Sequence, residues 1–347
     1  MKKIIPLLML TLFLFPSLGA AADSINTIKA KSWVKEGLEY FSNQEYDKAI
    51  KAFTTAIAID PKLANAYDNR GNAYEKKGQY DQAIADFSQA VALDPNNSNV
   101  YFNRGNAYDK KGQYDQAIAD YTRVIAMEPK DVHAFNNRGR TYEKKEDYDK
   151  ATEDFSQAIF LDPNSADLFY NRGNIYEKKG HYDKAIQDLT QAIAMDPDPA
   201  PPYFCRGSAY WKKEQYDQAI ADFSKAIAID PQGVRAYNYR GSAYEKKGEY
   251  EKAIADFTTA ITLNAKDANA YNNRGNAYEK KGQHEKAIED FTKAITLNPN
   301  FADAYNNRGV AYYNLDNTSQ SLKDFKNAAR LGSKGAQQWL TKMGEKW

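Results

Sequence analysis

A 34-residue period runs through almost the whole of this 347-residue chain. The triplet Asn-Arg-Gly, or a close variant of it, recurs at that interval, and Gly37 continues the same phase one unit upstream. Nine units therefore fill residues 30–335 without an insertion, which predicts a repeat array in which each unit packs on its neighbours. Eight arginine–glycine pairs mark the period: Arg70-Gly71, Arg104-Gly105, Arg138-Gly139, Arg172-Gly173, Arg206-Gly207, Arg240-Gly241, Arg274-Gly275 and Arg308-Gly309.

The first half of each unit is predicted to be an amphipathic helix. In residues 64–97, Tyr67, Gly71 and Tyr74 recur at helical spacing and share one face. Gly78 follows two lysines, a pattern typical of a helix C-terminus. A tight turn is expected there.

The second half of the unit predicts a second helix. Asp81 is expected to cap its N-terminus, and Pro95 to end it. The small residues in the two helices allow a close approach, and the larger ones fill the space around them. One side of this helix carries Ala83, Ile84, Phe87, Ala90 and Val91.

The order aromatic, Gly, Tyr, Ala, Phe, Ala, Pro at a 34-residue period resembles the tetratricopeptide repeat. In the first unit the matching residues are Trp33, Gly37, Tyr40, Ala49, Phe53, Ala56 and Pro61. The resemblance implies an all-α, right-handed α-solenoid whose concave groove is lined by the first helices. Departures are few: Leu189 replaces Phe, Ala265 replaces the terminal proline, and Ser321 and Ser333 loosen the ninth unit. The predicted repeats are 30–63, 64–97, 98–131, 132–165, 166–199, 200–233, 234–267, 268–301 and 302–335.

The two ends differ from the repeats. Residues 1–22 combine Lys2 and Lys3, an apolar run and a small-residue end, so they predict a signal peptide cut after Ala22 and an exported protein, periplasmic or secreted. An uncleaved membrane anchor is the alternative, although the apolar run is shorter than the ~20 residues of a spanning helix. Residues 23–29 form a lead-in. Residues 335–347 predict a C-terminal capping helix with apolar residues Ala336, Trp339, Leu340 and Met343.

Charge and composition argue against several function classes. The chain has 47 basic and 46 acidic residues, and removal of Lys2 and Lys3 with the signal leaves 45 against 46. Because the basic and acidic residues are nearly equal in number, neither nucleic acid nor an anionic membrane is an expected partner of this protein. Three dispersed histidines and one cysteine, Cys205, give no catalytic or metal-binding constellation, and no phosphate loop or nucleophile motif occurs. We therefore predict no enzyme, no cofactor and no metal, with Cys205 as a small apolar filler.

A charged pair is predicted to hold each repeat. Every unit that has an arginine beside the repeat glycine also has an aspartate in its second helix. The first unit lacks both residues and has Glu36 and Ala52 in their places. This joint presence and joint absence indicates an ion pair, within a unit or between neighbours. The aspartates are Asp86, Asp120, Asp154, Asp188, Asp222, Asp256, Asp290 and Asp324.

Asparagines recur at equivalent positions of the first helices, on the face opposite the one that carries the tyrosines and the glycine. The double row resembles the asparagine ladder of O-linked N-acetylglucosamine transferase, whose amides grip an extended peptide, and an amide can bind a peptide group of any sequence. Solvated asparagines copied by recent duplication are the alternative. The candidate groove residues are Asn69, Asn72, Asn103, Asn106, Asn137, Asn171, Asn174, Asn273, Asn276 and Asn307.

Aromatic side chains interrupt that face in three successive units. Tyr170, Phe204 and Tyr239 replace mostly polar groove residues, and Trp211 replaces a glutamate-type residue. They predict an anchor cluster in the binding surface, with Cys205 among them. Local repacking around the irregular junction 198–202 is the alternative. The function expected is a scaffold that binds extended peptide or partner proteins; a carbohydrate-binding accessory protein for polysaccharide export or envelope assembly is the second hypothesis.

Overall fold

The computed structural model describes residues 18–347, with side chains from residue 25 onward, and this part of the chain is helical throughout. The predicted all-α solenoid of helical repeats is confirmed, and each predicted repeat contains one helix pair. Residues 1–17 of the predicted signal segment lie outside the described residues. None of the described helices is long and apolar enough to cross a membrane.

The chain divides into two compact units, residues 1–161 and 162–347. The first unit contains the helices α1 (Leu18–Ser42), α2 (Tyr46–Ile59), α3 (Ala64–Lys76), α4 (Tyr80–Leu93), α5 (Ser98–Lys110), α6 (Tyr114–Met127), α7 (Val132–Lys144) and α8 (Tyr148–Leu161). Helix α1 runs without a break through the predicted lead-in and into the first repeat.

The second unit contains the remaining five repeats and one further helix. Its helices are α9 (Ala166–Lys178), α10 (Tyr182–Met195), α11 (Ala200–Lys212), α12 (Tyr216–Ile229), α13 (Val234–Lys246), α14 (Tyr250–Leu263), α15 (Ala268–Lys280), α16 (His284–Leu297), α17 (Ala302–Asn314), α18 (Thr318–Arg330) and α19 (Lys334–Lys342). Within each unit, successive helices pack against one another along the chain.

The second repeat shows how the sequence gives the helix pair. Phe87 is fully buried against Gly71, where an added Cβ would lie 2.7 Å from the Phe87 ring. The glycine therefore sets how closely the two helices approach. Gly78 has a φ of +72°, and the amide of Gln79 donates to the carbonyl of Tyr74 at 2.9 Å. This is the glycine-terminated helix end that the sequence predicts.

The predicted capping role of Asp81 is wrong. Helix α4 has Gln79 at its N-cap, without a side-chain hydrogen bond, and Asp81 lies inside the first turn. There its carboxylate accepts from Lys111 of the following repeat. The carboxylate still lies near the positive end of the helix dipole, but its partner is a lysine and not the helix backbone.

Helix α19 covers the last repeat. Ala336 and Leu340 are fully buried, and the Trp339 ring lies 4.3 Å from the Phe325 ring between centroids. Met343 does not take part as the sequence predicts, because 57% of it is exposed beyond the end of the helix. The apolar end of the array is thus covered by three of the four predicted side chains.

Candidate functional site

Each arginine–aspartate pair lies within a single repeat. Arg70 donates from Nε and Nη2 to the two carboxylate oxygens of Asp86, both at 2.7 Å, and the Asp86 side chain is 8% exposed. Hydrogen bonding to Asp86 raises the pKa of the Arg70 guanidinium. The same two-point geometry recurs in the other seven repeats that carry the pair. The pair is a buried structural tie and leaves these arginines unavailable to a partner.

A third arginine donor reaches the preceding repeat. Arg70 Nη1 donates to the hydroxyl of Thr54 at 3.0 Å, and Arg240 Nη1 donates to Ser224 at the same distance. A hydroxyl residue stands 16 positions before each of these arginines, which is the sequence signal for this contact. Within a unit, such an arginine therefore connects the second helix of its own repeat with the second helix of the preceding one.

The ten candidate asparagines are all half-buried on first helices. Several of their amides bridge successive first helices within a unit. Asn103 Nδ2 donates to Asp68 at 3.2 Å, and Asn307 Nδ2 donates to Asn272 at 3.1 Å. In each unit the structure thus places the predicted asparagines on the first helices, with part of their hydrogen-bonding capacity used between repeats.

The third and fourth repeats show the same use of the row. Asn137 Nδ2 donates to Asn106 Oδ1 at 3.0 Å, and that oxygen also accepts from the hydroxyl of Tyr121 at 2.8 Å. Each bridging amide has a second N–H or a second lone pair that these contacts do not use. The row therefore connects neighbouring first helices within a unit.

The predicted aromatic residues come together in the second unit. The rings of Phe204 and Tyr239 lie 5.3 Å apart, edge to face, and both pack on the buried ring of Phe223 at 5.7 Å. Trp211 contacts Tyr239 at 6.3 Å, and its buried Nε1 has no hydrogen-bond partner among the described residues. Offset edge contacts of this kind stabilise aromatic clusters.

A cavity of about 690 Å³ opens beside this cluster. It lies between the first helices α9, α11 and α13, and its volume is within the range of ligand-binding pockets. Trp211 is not part of its wall, so it supports the pocket only through Tyr239. The wall includes Tyr170, Phe204, Cys205, Val234, Arg235 and Tyr239.

Cys205 is a half-buried thiol in this wall. Burial, followed by the negative charge of Glu177, raises its pKa to about 11, while a hydrogen bond from Tyr170 works in the opposite direction. Its Sγ lies 4.0 Å from Asn174 Oδ1. Because the thiolate is the reactive form, the residue is a filler of the pocket wall and not a nucleophile at neutral pH.

Arg235 is a residue of the pocket wall that the sequence analysis did not include among the candidate site residues. Its guanidinium lies 4.5 Å from the centre of the Phe204 ring, and the side chain is exposed.

In the described residues, no cluster of three or more His, Cys, Asp or Glu side chains is arranged to hold a metal ion.

The comparisons with known proteins agree with this architecture. A family described as TPR repeat matches residues 37–78, 76–112, 139–180, 212–248 and 245–282, more than half of the chain. A second, described as Tetratricopeptide repeat, matches residues 98–131, 166–199 and 268–301. Comparison with curated proteins gives no match.

Two solved structures share the fold. A tetratricopeptide repeat protein from Parabacteroides merdae is 21% identical, with a TM-score of 0.55 over 72% of this chain and 98% of its own. The APC/C heterotetramer Cut9–Hcn1 is 16% identical, with a TM-score of 0.55 over 90% of this chain and 76% of its own. The repeat architecture supports a protein–protein interaction scaffold. The chain belongs to the tetratricopeptide repeat family.

Proposed function

We propose that this protein is a non-enzymatic scaffold, exported to the periplasm or outside the cell, that holds an extended segment of a partner protein on the face of its first helices. The single observation that carries the proposal is the pocket bounded by Tyr170, Phe204 and Tyr239 on that face. Bridging amides lie on the same face of the first helices and keep donors for the partner's backbone.

The free energy needed for binding requires both the amides and the aromatic pocket. A hydrogen bond contributes about 1 kcal/mol net, so half a dozen amides fall short of the ~8 kcal/mol that micromolar binding needs. One buried apolar side chain of the partner adds about 1.5–3 kcal/mol. The aromatic pocket supplies a place for that side chain, and the amides supply sequence-independent contacts beside it.

The packing of the rings favours a peptide over a carbohydrate. Sugar rings stack on open aromatic faces, whereas Phe204 has the Arg235 guanidinium over its ring and meets Tyr239 edge to face. The rings instead form one side of a concave pocket that suits a single inserted side chain. Extended protein segments are therefore the ligand class that this geometry supports best.

A crosslinking pull-down from the native cell envelope tests the proposal. Wild-type protein is compared with Phe204→Ala and with a matched control, Phe102→Ala, which removes an aromatic from the same repeat position in the first unit. Phe102 packs against Tyr121 at 5.9 Å and is not part of the pocket. We expect a protein partner to be recovered by wild type and Phe102→Ala and lost by Phe204→Ala, with both variants still folded by circular dichroism.

Other results would overturn it. Equal recovery by both variants would place binding away from the pocket. Recovery of envelope polysaccharide without any protein partner would replace the proposal with the carbohydrate-binding hypothesis. For the export part, the mass of the protein recovered from the envelope should correspond to a chain beginning at Asp23; a full-length cytoplasmic chain would contradict it.

A further inference from the structure

The pocket in the second unit contains four charged side chains, and three of them have a polar interaction within the chain. Glu177 accepts from the Ser208 hydroxyl at 2.9 Å, and Asp230 accepts from the backbone amide of Gln232 at 3.1 Å. Lys178 takes part in an interaction of its own. The remaining charge is that of Arg235.

Arg235 is exposed at the pocket wall without a carboxylate partner among the described residues. Its contact with the face of Phe204 holds the guanidinium near the aromatic ring while leaving its N–H donors at the edge of the plane. A guanidinium presents five donors in a fixed fork that matches a carboxylate. The pocket therefore places an exposed guanidinium beside an aromatic wall.

The repeat period shows that this arrangement is local. The positions equivalent to Arg235 in the other repeats carry Lys31, Asn65, Asn99, His133, Asp167, Pro201, Asn269 and Asp303. In the same region, Cys205 and Tyr239 stand where the bridging asparagines of other repeats stand. Amide donors for a peptide backbone are thus replaced here by apolar surface. This part of the face is built to receive a side chain rather than a stretch of backbone.

We infer that the pocket reads a short motif in the partner: a large apolar side chain that enters between Tyr170, Phe204 and Tyr239, with an Asp or Glu within two positions that pairs with Arg235. The inference rests on the proposed function, since it names the partner chemistry of the same site. Charge complementarity selects the acidic residue, because Arg235 is an exposed cation at the pocket wall with no carboxylate partner among the described residues, and charged pairs across an interface determine register and specificity.

Selection from a phage-displayed library of random twelve-residue peptides tests the motif on the purified chain. Wild type should enrich peptides with a large apolar residue next to an acidic one. Arg235→Glu should enrich the same apolar residue next to Lys or Arg. The matched control is Arg140→Glu, which reverses an exposed arginine on a first helix of the first unit, and it should select as wild type does.

A second measurement leaves the protein unchanged. The most enriched peptide is labelled with fluorescein and titrated by anisotropy beside its Glu→Gln form, which should bind about tenfold more weakly to wild type. Against Arg235→Glu the two forms should no longer differ in that direction. An unchanged affinity for the Glu→Gln form, or an unchanged selection by Arg235→Glu, would overturn the motif.

The outcomes separate the two proposals. Enriched peptides that share an apolar residue without an acidic neighbour would overturn the motif and leave the peptide scaffold standing. Loss of all enrichment in Phe204→Ala would support the pocket as the site. No enrichment with wild type would overturn both.

Discussion

Asp68 illustrates how one side chain of the first-helix face is tuned by its position. Its carboxylate accepts hydrogen bonds from Asn103 and Asn72, yet burial is the larger effect and raises its pKa above the ordinary value. The position equivalent to Asp68 in a later repeat carries an uncharged residue, Asn272, and its side-chain oxygen accepts a hydrogen bond from Asn307 in the same way. The charge at Asp68 is therefore not needed for the bridge between first helices.

Asp68→Asn is expected to stabilise the protein at neutral pH. A carboxyl whose folded pKa is raised loses stability as pH rises from the unfolded value, about 3.9, through the folded one, because the charged form is buried. The variant should equal wild type at low pH and exceed it increasingly above about pH 4, as judged by urea midpoints across pH. Equal midpoints at pH 7, or a gap that closes as pH rises, would contradict this reasoning.

Cys205 should react slowly with thiol reagents in the folded protein. With a pKa of about 11 and a wall position in the pocket, its thiolate is scarce at pH 8. We expect Ellman's reagent to react at least about a hundredfold more slowly than with the guanidinium-unfolded chain. Comparable rates in the two states would show that the thiol is exposed or activated.

Single residues also show where sequence reasoning stops. The pairing of Arg70 with Asp86 could be predicted, because both residues are absent together from the first unit. The bridges between amides could not be predicted. The third contact, with Thr54, has a sequence signal in the hydroxyl residue 16 positions earlier, but that signal does not show that the two side chains meet. Both kinds of contact join side chains 16 to 35 positions apart, and their existence depends on how neighbouring helices are stacked and not on the pattern within one helix.

At the scale of the helix pair, the repeat glycine limits how closely two helices can pack. A Cβ at Gly275 would lie 2.6 Å from the Phe291 ring, which no side chain tolerates without movement. At Gly309 the corresponding distance to Phe325 is 3.3 Å, so a small shift of the ring suffices. The two positions follow the same residues, Tyr-Asn-Asn-Arg, and the repeat pattern alone does not distinguish them.

Gly275→Ala should therefore destabilise the protein by about 1–3 kcal/mol through overpacking, despite the better helix propensity of alanine. Gly309→Ala serves as the matched control and should lie within about 1 kcal/mol of wild type, since the propensity gain of up to ~1 kcal/mol offsets a milder contact. Chemical denaturation of the two variants measures the difference. Equal losses at both positions would show that close approach to the ring does not decide the cost.

Helix boundaries were more predictable than their contacts. Gly78, with positive φ, ends α3 where the sequence indicates, because only the chain's local conformation is involved. Asp81 fails as a cap because α4 begins one residue earlier, so that Asp81 lies inside its first turn. The contact between Phe204 and Tyr239 was predictable from their places in successive repeats, whereas the position of Arg235 over the Phe204 ring was not.

At the scale of the whole molecule, each repeat buries its apolar surface only against its neighbours, so the ends of the array are its weakest points. In the second unit, α19 covers Phe325 and Ala329 with Leu340 and Trp339. The stability of the last repeat should therefore depend on this short helix, while repeats farther along the chain should not sense its loss.

Deletion of residues 334–347 tests this dependence. Loss of the buried Leu340 and Trp339 contacts should cost the last repeat about 3–5 kcal/mol, and amide hydrogen exchange should accelerate in α17 and α18. Exchange in α9 and α10 should stay as in wild type, because stability in such arrays is a sum of nearest-neighbour terms. Deletion of residues 346–347 alone removes exposed residues beyond α19 and serves as the control. Uniform acceleration through every helix of the second unit would instead show that this unit opens as one cooperative body.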